Sequence, residues 1–494
     1  MRFSLLLIII SKISNFGNLT MTLSTKIAHN TIIQIISKII ATVLGLLTIA
    51  IMTRYLGKSG FGDYTTIITY LTFFATIADL GLTLVTVQLI SKANADEEKI
   101  IGNLFAFRLV TAVLFLGSSI LITIFLPYSN AIKIGIAVTS FSFLFGAFNQ
   151  ILVGVFQKNL QMDRVALAEV VSRTFLFVAV FLVYYLDYGL LGVLIVSVLA
   201  NLVSFLFHFF FSQRFVKTTL LFEFGYWKQI VKQSWPIAVT IFFNLIYLRT
   251  DTLILSLIKS SEEVGIYGAS YKVIDVLVTV PFMFAGIILP VITRAWSEKN
   301  NQFFYKVLQR SFDVMIIFSI PMLAGAFFLA DPIINLIAGP EFAESASVLR
   351  ILMIASSVIF VGTMFSHAVI AIDKQKNIIW SYIFVAITAL SAYLIFIPKF
   401  SYFGAAWVTV YSEVTIALAS LYLVYKHTKF FPNFKVTSRV LLSTAIMSVS
   451  LYYFVANEFN FYFSLFTAML IYFGFLYLFK GFTNKEILEI LNKN

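Results

Sequence analysis

The 494-residue chain is 60% hydrophobic and only 12% charged, with a mean hydropathy of +0.94, values that lie outside ordinary soluble globular domains. Its lack of cysteine excludes a disulfide framework and a thiolate metal site. The net charge of +12 is carried by basic residues that lie between apolar runs, so topology explains it and no nucleic-acid partner is expected.

The first ten residues, MRFSLLLIII, have one basic residue and an apolar run. That run is only about six residues long and no small-x-small cleavage site follows, so the segment is read as lying upstream of a start at Met21 rather than as a signal peptide. Residues 1–26 are assigned to a cytoplasmic N-terminal segment. Apolar runs of about 20 residues then recur to the end of the chain, each long enough to cross a hydrocarbon core of roughly 30 Å as a helix.

Fourteen spans are predicted, at 32–53, 62–91, 101–126, 131–156, 166–187, 189–211, 233–258, 266–292, 308–329, 346–372, 377–397, 402–425, 437–456 and 460–479. The fold class is therefore an all-α polytopic membrane protein. Alternate connections carry opposite charge densities. One side holds only Arg54, Lys58, Lys133, Lys259 and Lys399, while the other holds most of the remaining Lys and Arg together with both termini. The positive-inside rule puts both termini in the cytoplasm. The longest outer connection is DPIINLIAGPEFAESA, Asp331 to Ala346. It is too short for a soluble catalytic domain, which argues against a membrane glycosyltransferase or polymerase. No catalytic residues are assigned and an enzyme is not expected. The four histidines, His29, His208, His367 and His427, lack metal-ligand spacing, so no metal is expected.

The chain repeats itself. YLGKSGFGDYTTIITYL after span one resembles LIKSSEEVGIYGASYKVI after span seven. Each places Gly-x-Tyr (Gly62 to Tyr64, Gly265 to Tyr267) at a helix start, and Ser260 with Glu263 forms a capping box in the second. GVFQKNLQ from Gly154 parallels IAIDKQKN from Ile370, and LLGVLIVSV from Leu190 parallels YFGAAWVTV from Tyr402. Offsets of roughly 200 to 220 residues correspond to six spans. The predicted organisation is an N-lobe at 27–215 (spans one to six), a C-lobe at 216–430 (spans seven to twelve) and two added spans with a cytoplasmic tail at 431–494. Two such lobes, related by an axis along the membrane normal, suit a transporter that works by alternating access.

A charge at mid-depth costs roughly 2.5–3.5 kcal/mol on insertion scales, so each needs a partner or a water-filled cavity. In span one, Asn30, Gln34, Ser37 and Lys38 share a broad side; in span two, Thr72, Thr76, Asp79, Thr83 and Thr86 do. Span seven aligns Gln233, Thr240, Asn244, Tyr247 and Asp251 on a narrow stripe, with Arg249 nearly opposite. Residues two apart on a helix do not meet, so Arg249 and Asp251 are not each other's partner. Span eight presents Gly268, Lys272, Asp275 and Thr279, and span twelve Ala406, Thr409, Glu413 and Ser420. Such stripes also suit close helix packing. Glu169 and Arg173 have the spacing of a local pair, as do Lys272 and Asp275. Arg108 and Arg350 lie near span ends, from which they can snorkel, and Asp313 is also near an end. Lys38, Asp79, Arg249, Asp251 and Glu413 are deeper and have no evident local partner.

From Ile27 to Lys92 the chain combines a helix carrying Asn30 with RYLG (Arg54 to Gly57), FGDY (Phe61 to Tyr64) and DLGL (Asp79 to Leu82), and the second half adds LRTDTLILS and EVGIYGASYK. With these elements it resembles bacterial polysaccharide-biosynthesis membrane proteins, the O-antigen and capsule repeat-unit flippases (Wzx type). These form a branch of the multidrug/oligosaccharidyl-lipid/polysaccharide superfamily, which also holds the multidrug and toxin extruders and the lipid II flippase. The resemblance implies a two-lobed, MATE-like carrier in the bacterial plasma membrane. It would pass a polyprenyl-pyrophosphate-linked oligosaccharide from the inner to the outer leaflet, with the lipid bilayer and other polysaccharide assembly proteins as further partners. No cofactor is implied beyond a coupling proton or sodium ion.

On that reading Lys38, Arg249, Lys272, Arg173 and Arg108 are assigned to the headgroup phosphates. Asp79, Asp251, Asp275 and Glu413 serve charge balance or ion coupling, and Asn30, Gln34, Thr240, Asn244, Tyr247 and Thr409 meet sugar hydroxyls. The last two spans would form a groove for the lipid tail. A multidrug extruder and a lipid II flippase are the rivals on the same scaffold; a non-transporting scaffold of a glycan assembly complex is the alternative from another class.

Overall fold

In the computed structural model the described residues form helices joined by short connections, with no strand among them, as expected of a chain whose backbone polar groups must be satisfied without water. It describes residues 23–91 and 96–481, with side chains from residue 33 on except 84, 233, 236, 237, 239, 240, 244, 247 and 248. The proposed start at Met21 and the C-terminal tail beyond 481 lie outside the described residues.

The helices in chain order are α1 (Leu23–Asp79), α2 (Leu82–Ile90), α3 (Glu97–Thr123), α4 (Asn130–Lys158), α5 (Met162–Leu186), α6 (Gly189–Ser212), α7 (Phe224–Ile258), α8 (Ser261–Leu277), α9 (Thr279–Ser297), α10 (Asn301–Ile337), α11 (Glu344–Ala371), α12 (Gln375–Thr428), α13 (Lys435–Ala456) and α14 (Phe461–Leu478). Among the described residues eleven helical segments are long and apolar enough to cross a membrane, where the sequence suggested fourteen. Two of the eleven carry a kink, at Gly57 (φ 63°) and at Ser401 (φ 50°), close to where the sequence places connections between spans.

Two elements differ from expectation. Span two is not one helix: α1 ends at Asp79, Leu80 (φ 47°) and Gly81 (φ 76°) take left-handed conformations, and α2 starts at Leu82. The outer connection from Asp331 is mostly ordered as helix, since α10 continues through Pro332 to Ile337 and a single 3-10 turn, Pro340–Phe342, precedes α11. Phe342 of that turn is wholly buried. By its internal contacts the chain forms two compact units. One compact unit takes the chain up to Leu56 and from Ile67 to Phe242; the other takes Gly57–Thr66 and the described residues from Phe243 on. The division therefore falls inside α7, and α13 and α14 join the second unit by packing on α10 and on each other.

In the first unit α4 packs against α3, α5 and α6 around Leu104, Phe105, Leu152 and Phe156, with Leu82 and Val85 of α2 beneath. In the second, α11 is the central helix, buried between α12, α10, α9 and α8. Its core joins Phe312, Met315, Met364, Phe365, Val424 and Tyr472. The predicted capping box is present at the start of α8: Ser260 Oγ accepts from the Glu263 amide at 3.4 Å, and Glu263 accepts from the Ser260 amide at 3.2 Å.

The two Gly-x-Tyr elements of the repeat meet within the second unit. A Cβ added at Gly62 would fall inside the backbone of Ser261, and one at Gly265 inside the carbonyl of Lys58. Only glycine lets these backbones approach so closely. The contact is flanked by Ser261 Oγ donating to Asp63 at 2.5 Å, by the Lys58–Glu344 ion pair at 2.8 Å, and by Phe61 set edge-on against Phe342 at 6.0 Å.

Candidate functional site

The charged stripes resolve into four clusters, two in each unit. In the first unit the break after Asp79 leaves the end of α1 with open carbonyls and a carboxylate, a poor combination at the negative pole of a helix. Arg108 of α3 compensates. Its guanidinium lies 2.5 Å from Asp79 Oδ1 and donates to Gln150 Oε1 at 2.6 Å and to the carbonyls of Ala78 and Ala147 at 3.4 Å. Thr83 Oγ1 closes the group, 2.7 Å from Asp79 Oδ1 and 2.8 Å from Gln150 Oε1. Arg108 is 2% exposed. It does not snorkel, and in this structure it is closed to a phosphate; Asp79, without a counter-charge on its own helix, finds one on α3.

The second cluster of this unit joins α1 and α5. Lys38 Nζ donates to Glu169 Oε1 at 3.1 Å with 44% of the lysine side chain exposed. The local Glu169–Arg173 pair suggested by spacing does not form, because Glu169 is taken by Lys38. Arg173, one turn further along α5, is exposed and makes no ion pair among the described residues. Two cations and one acid thus share this face, and one positive charge is in surplus.

The second unit repeats that arithmetic with other residues. Arg249 of α7 donates to Asp275 Oδ1 of α8 at 3.0 Å, Lys272 lies 3.9 Å from the other oxygen, and the Arg249 guanidinium sits over the Tyr271 ring at 5.3 Å. Arg249 and Asp275 are about one-third exposed at their side chains and Lys272 one-quarter. Again two cations share one acid.

Asp251 points elsewhere, as the helical geometry requires, and it has partners within the protein in place of a water-filled cavity. It is 0% exposed. Oδ1 accepts from the Thr252 amide at 2.6 Å and its hydroxyl at 3.2 Å, and Oδ2 from the Tyr267 hydroxyl at 2.6 Å and the Thr409 hydroxyl at 3.4 Å. Tyr393 adds a contact to Thr409 at 3.3 Å. Tyr267 and Tyr393 are wholly buried. Thr409, assigned to sugar hydroxyls, is 5% exposed and committed to this network. Glu413 lies one turn along α12 and is 8% exposed.

Of the other assigned residues, Gln34 is half-buried on α1 near Lys38 in sequence. Asn30 and the α7 stripe Thr240, Asn244 and Tyr247 are helical, and their side chains lie outside the described residues. Arg350 pairs with Asp331 and donates to the Phe327 carbonyl at 2.9 Å, and Asp313 accepts from Gln309 at 2.9 Å. Sequence reasoning missed Gln150, Tyr267, Tyr271 and Tyr393. Tyrosine is common enough here, with 23 in the chain, that no periodicity marks these out.

Over residues 27–296 the chain matches the family of polysaccharide biosynthesis proteins, and over residues 236–398 the MatE family. The capsular polysaccharide biosynthesis protein CapF of Staphylococcus aureus is 21% identical over 295 residues, which are 59% of this chain and 74% of that one. Among solved structures, the lipid II flippase MurJ in its inward closed conformation superposes with a TM-score of 0.77 at 18% identity, covering 91% of this chain and 99% of that one. An inward-facing multidrug resistance MATE family transporter of the MOP superfamily gives 0.65 at 15% identity, covering 81% and 98%. At these identities the superpositions establish a shared fold.

Proposed function

The chain belongs to the polysaccharide biosynthesis protein family and is a multi-pass membrane protein; from that premise we propose that it flips a polyprenyl-pyrophosphate-linked oligosaccharide repeat unit from the cytoplasmic to the outer leaflet of the bacterial plasma membrane. The product feeds a surface polysaccharide: an O-antigen, a capsule or an exopolysaccharide. Both termini lie in the cytoplasm, and the protein works by alternating access as a carrier, not an enzyme.

The observation that carries the reading is the contrast among the deep cations. Arg108 is sealed and saturated, whereas Lys38, Arg249 and Lys272 are tied to an acid and still partly exposed. Each unit thereby offers a phosphate one positive charge in surplus. Arg249 adds the planar fork that suits bidentate contact with phosphate oxygens. A pyrophosphate headgroup cannot cross hydrocarbon alone, because its oxygens would lose their hydration. An organic cation would need the reverse balance, which weighs against the multidrug extruder.

The test is mass spectrometry of polyprenyl-linked glycans in lipid extracts of a strain lacking this protein, with its parent alongside. One pyrophosphate-linked oligosaccharide is expected to accumulate while the surface polymer is lost. Accumulation of lipid II would transfer the reading to peptidoglycan. An unchanged lipid pool together with new sensitivity to cationic drugs would replace it with drug extrusion.

A further inference from the structure

Among the described residues four of the carboxyl groups expected deep in the spans, Asp79, Asp251, Asp275 and Glu413, can be compared, and three of them already hold donors. Asp79 has Arg108, Asp275 has Arg249 and Lys272, and Asp251 has Tyr267, Thr252 and Thr409. Glu413 differs from all three. It is 8% exposed, and among the described residues no donor or counter-charge lies within hydrogen-bond or ion-pair reach. Its ionisable neighbours are two phenols from the first half of the same element, Tyr382 and Tyr393, both neutral at pH 7. Tyr382 is bonded to Ser366 of α11, and Tyr393 to Thr409. The charged or titratable groups of the flanking helices are engaged elsewhere: His367 of α11 with the Thr363 carbonyl at 2.8 Å, Lys272 of α8 with Asp275, Asp251 of α7 with Tyr267.

An ionised carboxylate in such surroundings is the costliest arrangement available to it. Taking up a proton avoids that cost. The surroundings of Glu413 thus suit the neutral carboxylic acid and not the carboxylate. The acid parts with its proton only when water or an acceptor reaches it, so a change of conformation that wets α12 would unload it. Buried acids with this property mark proton pathways in membrane carriers. A sodium ion is poorly served, since a hard cation needs several oxygens directed at one point.

We propose that Glu413 is the group that carries the coupling ion, and that the ion is a proton. The proposal rests on the reading of the chain as a flippase. The step balances without a further reactant: the carboxylic acid releases a proton to water on one side of the membrane, and the carboxylate takes one from water on the other. Asp79 and Asp275, each paired with a cation, are thereby left as fixed counter-charges.

Two measurements on the full-length protein in bilayers test this. In infrared difference spectra between acidic and alkaline suspensions, the wild-type protein shows the carbonyl stretch of a buried protonated carboxyl, and Glu413→Gln loses it. In proteoliposomes carrying a fluorescent polyprenyl-pyrophosphate-linked disaccharide, an imposed pH gradient accelerates flipping by the wild type. In Glu413→Gln the ratio of rates with and without the gradient falls to one, while thermal stability is unchanged, because the amide has the shape and neutrality of the acid. Glu413→Asp restores part of the response. An infrared band that survives in Glu413→Gln, a gradient response equal to that of the wild type, or acceleration by sodium in place of protons overturns the proposal. If the wild type moves no lipid-linked glycan at all, the flippase reading falls, and the infrared band still decides the protonation of Glu413.

Discussion

Replacing Arg108 by methionine separates a structural arginine from a ligand-binding one. The guanidinium is 2% exposed and joins Asp79, Gln150 and the end of α1. Methionine fills much of the volume but leaves the Asp79 carboxylate without a counter-charge. Breaking a buried pair in this way costs about 3–5 kcal/mol. At about 1.4 kcal/mol per decade, the unfolding equilibrium should shift by roughly two to three and a half orders of magnitude. Removing both charges, with Arg108→Met and Asp79→Leu together, should recover most of that, because a well-packed apolar pair is close to neutral against the ion pair it replaces. The assay is equilibrium unfolding in mixed micelles followed by helix content and tryptophan emission. A loss of stability under about 1 kcal/mol in the single variant, in the range of an exposed pair, would refute the reasoning. Abolished flipping in such a stable protein would return Arg108 to the phosphate.

Gly62→Ala should destabilise by about 1–3 kcal/mol, because the new Cβ must displace the Ser261 backbone. Gly117→Ala, which meets nothing within 4 Å, should be neutral or gain up to about 1 kcal/mol of helix propensity. Thermal melting of the pair in detergent checks this, and equal melting points would mean that the close approach is dispensable. Arg249→Ala combined with Lys272→Ala should reduce flipping of a pyrophosphate-linked disaccharide in proteoliposomes at least tenfold, the order expected for one charge-assisted contact of about 1.5–3 kcal/mol. Their separate effects should not add, since both cations share Asp275. An unchanged rate in the double variant would remove the phosphate role from this cluster.

The sequence was most legible where one physical rule acts alone. Hydropathy marked the helices because lipid leaves the backbone no other solution. The capping box at Ser260 was visible because it is local, and the separation of Arg249 from Asp251 followed from helical geometry. Partnerships between helices were not visible. Lys38 and Glu169 are 131 residues apart and Arg249 and Asp275 are 26 apart, so periodicity within one span cannot find them; it suggested Glu169–Arg173 instead, the nearest pair by spacing. The break after Asp79 was missed for a similar reason. DLGL reads as continuous apolar helix, and only the carboxylate and carbonyls gathered by Arg108 show why the chain turns there.

On the proposed reading, the paired clusters also explain how the chain tolerates the cations that a phosphate headgroup would need. A bare lysine or arginine at mid-depth would cost the empty carrier roughly 2.5–3.5 kcal/mol on insertion scales, and two in each unit would consume a large part of a marginal stability. Placing one acid between two cations, as Asp275 lies between Arg249 and Lys272, relieves most of that cost. If the cluster binds the proposed headgroup, it also sets how tightly that headgroup is held, because an arriving phosphate would compete with a carboxylate already in place. Full neutralisation, as at Arg108, would leave nothing to bind with, and no neutralisation would give a site that either fails to insert or fails to release. Replacing Asp275 by asparagine should therefore tighten headgroup binding and slow its release, the opposite of what a structural salt bridge alone would predict.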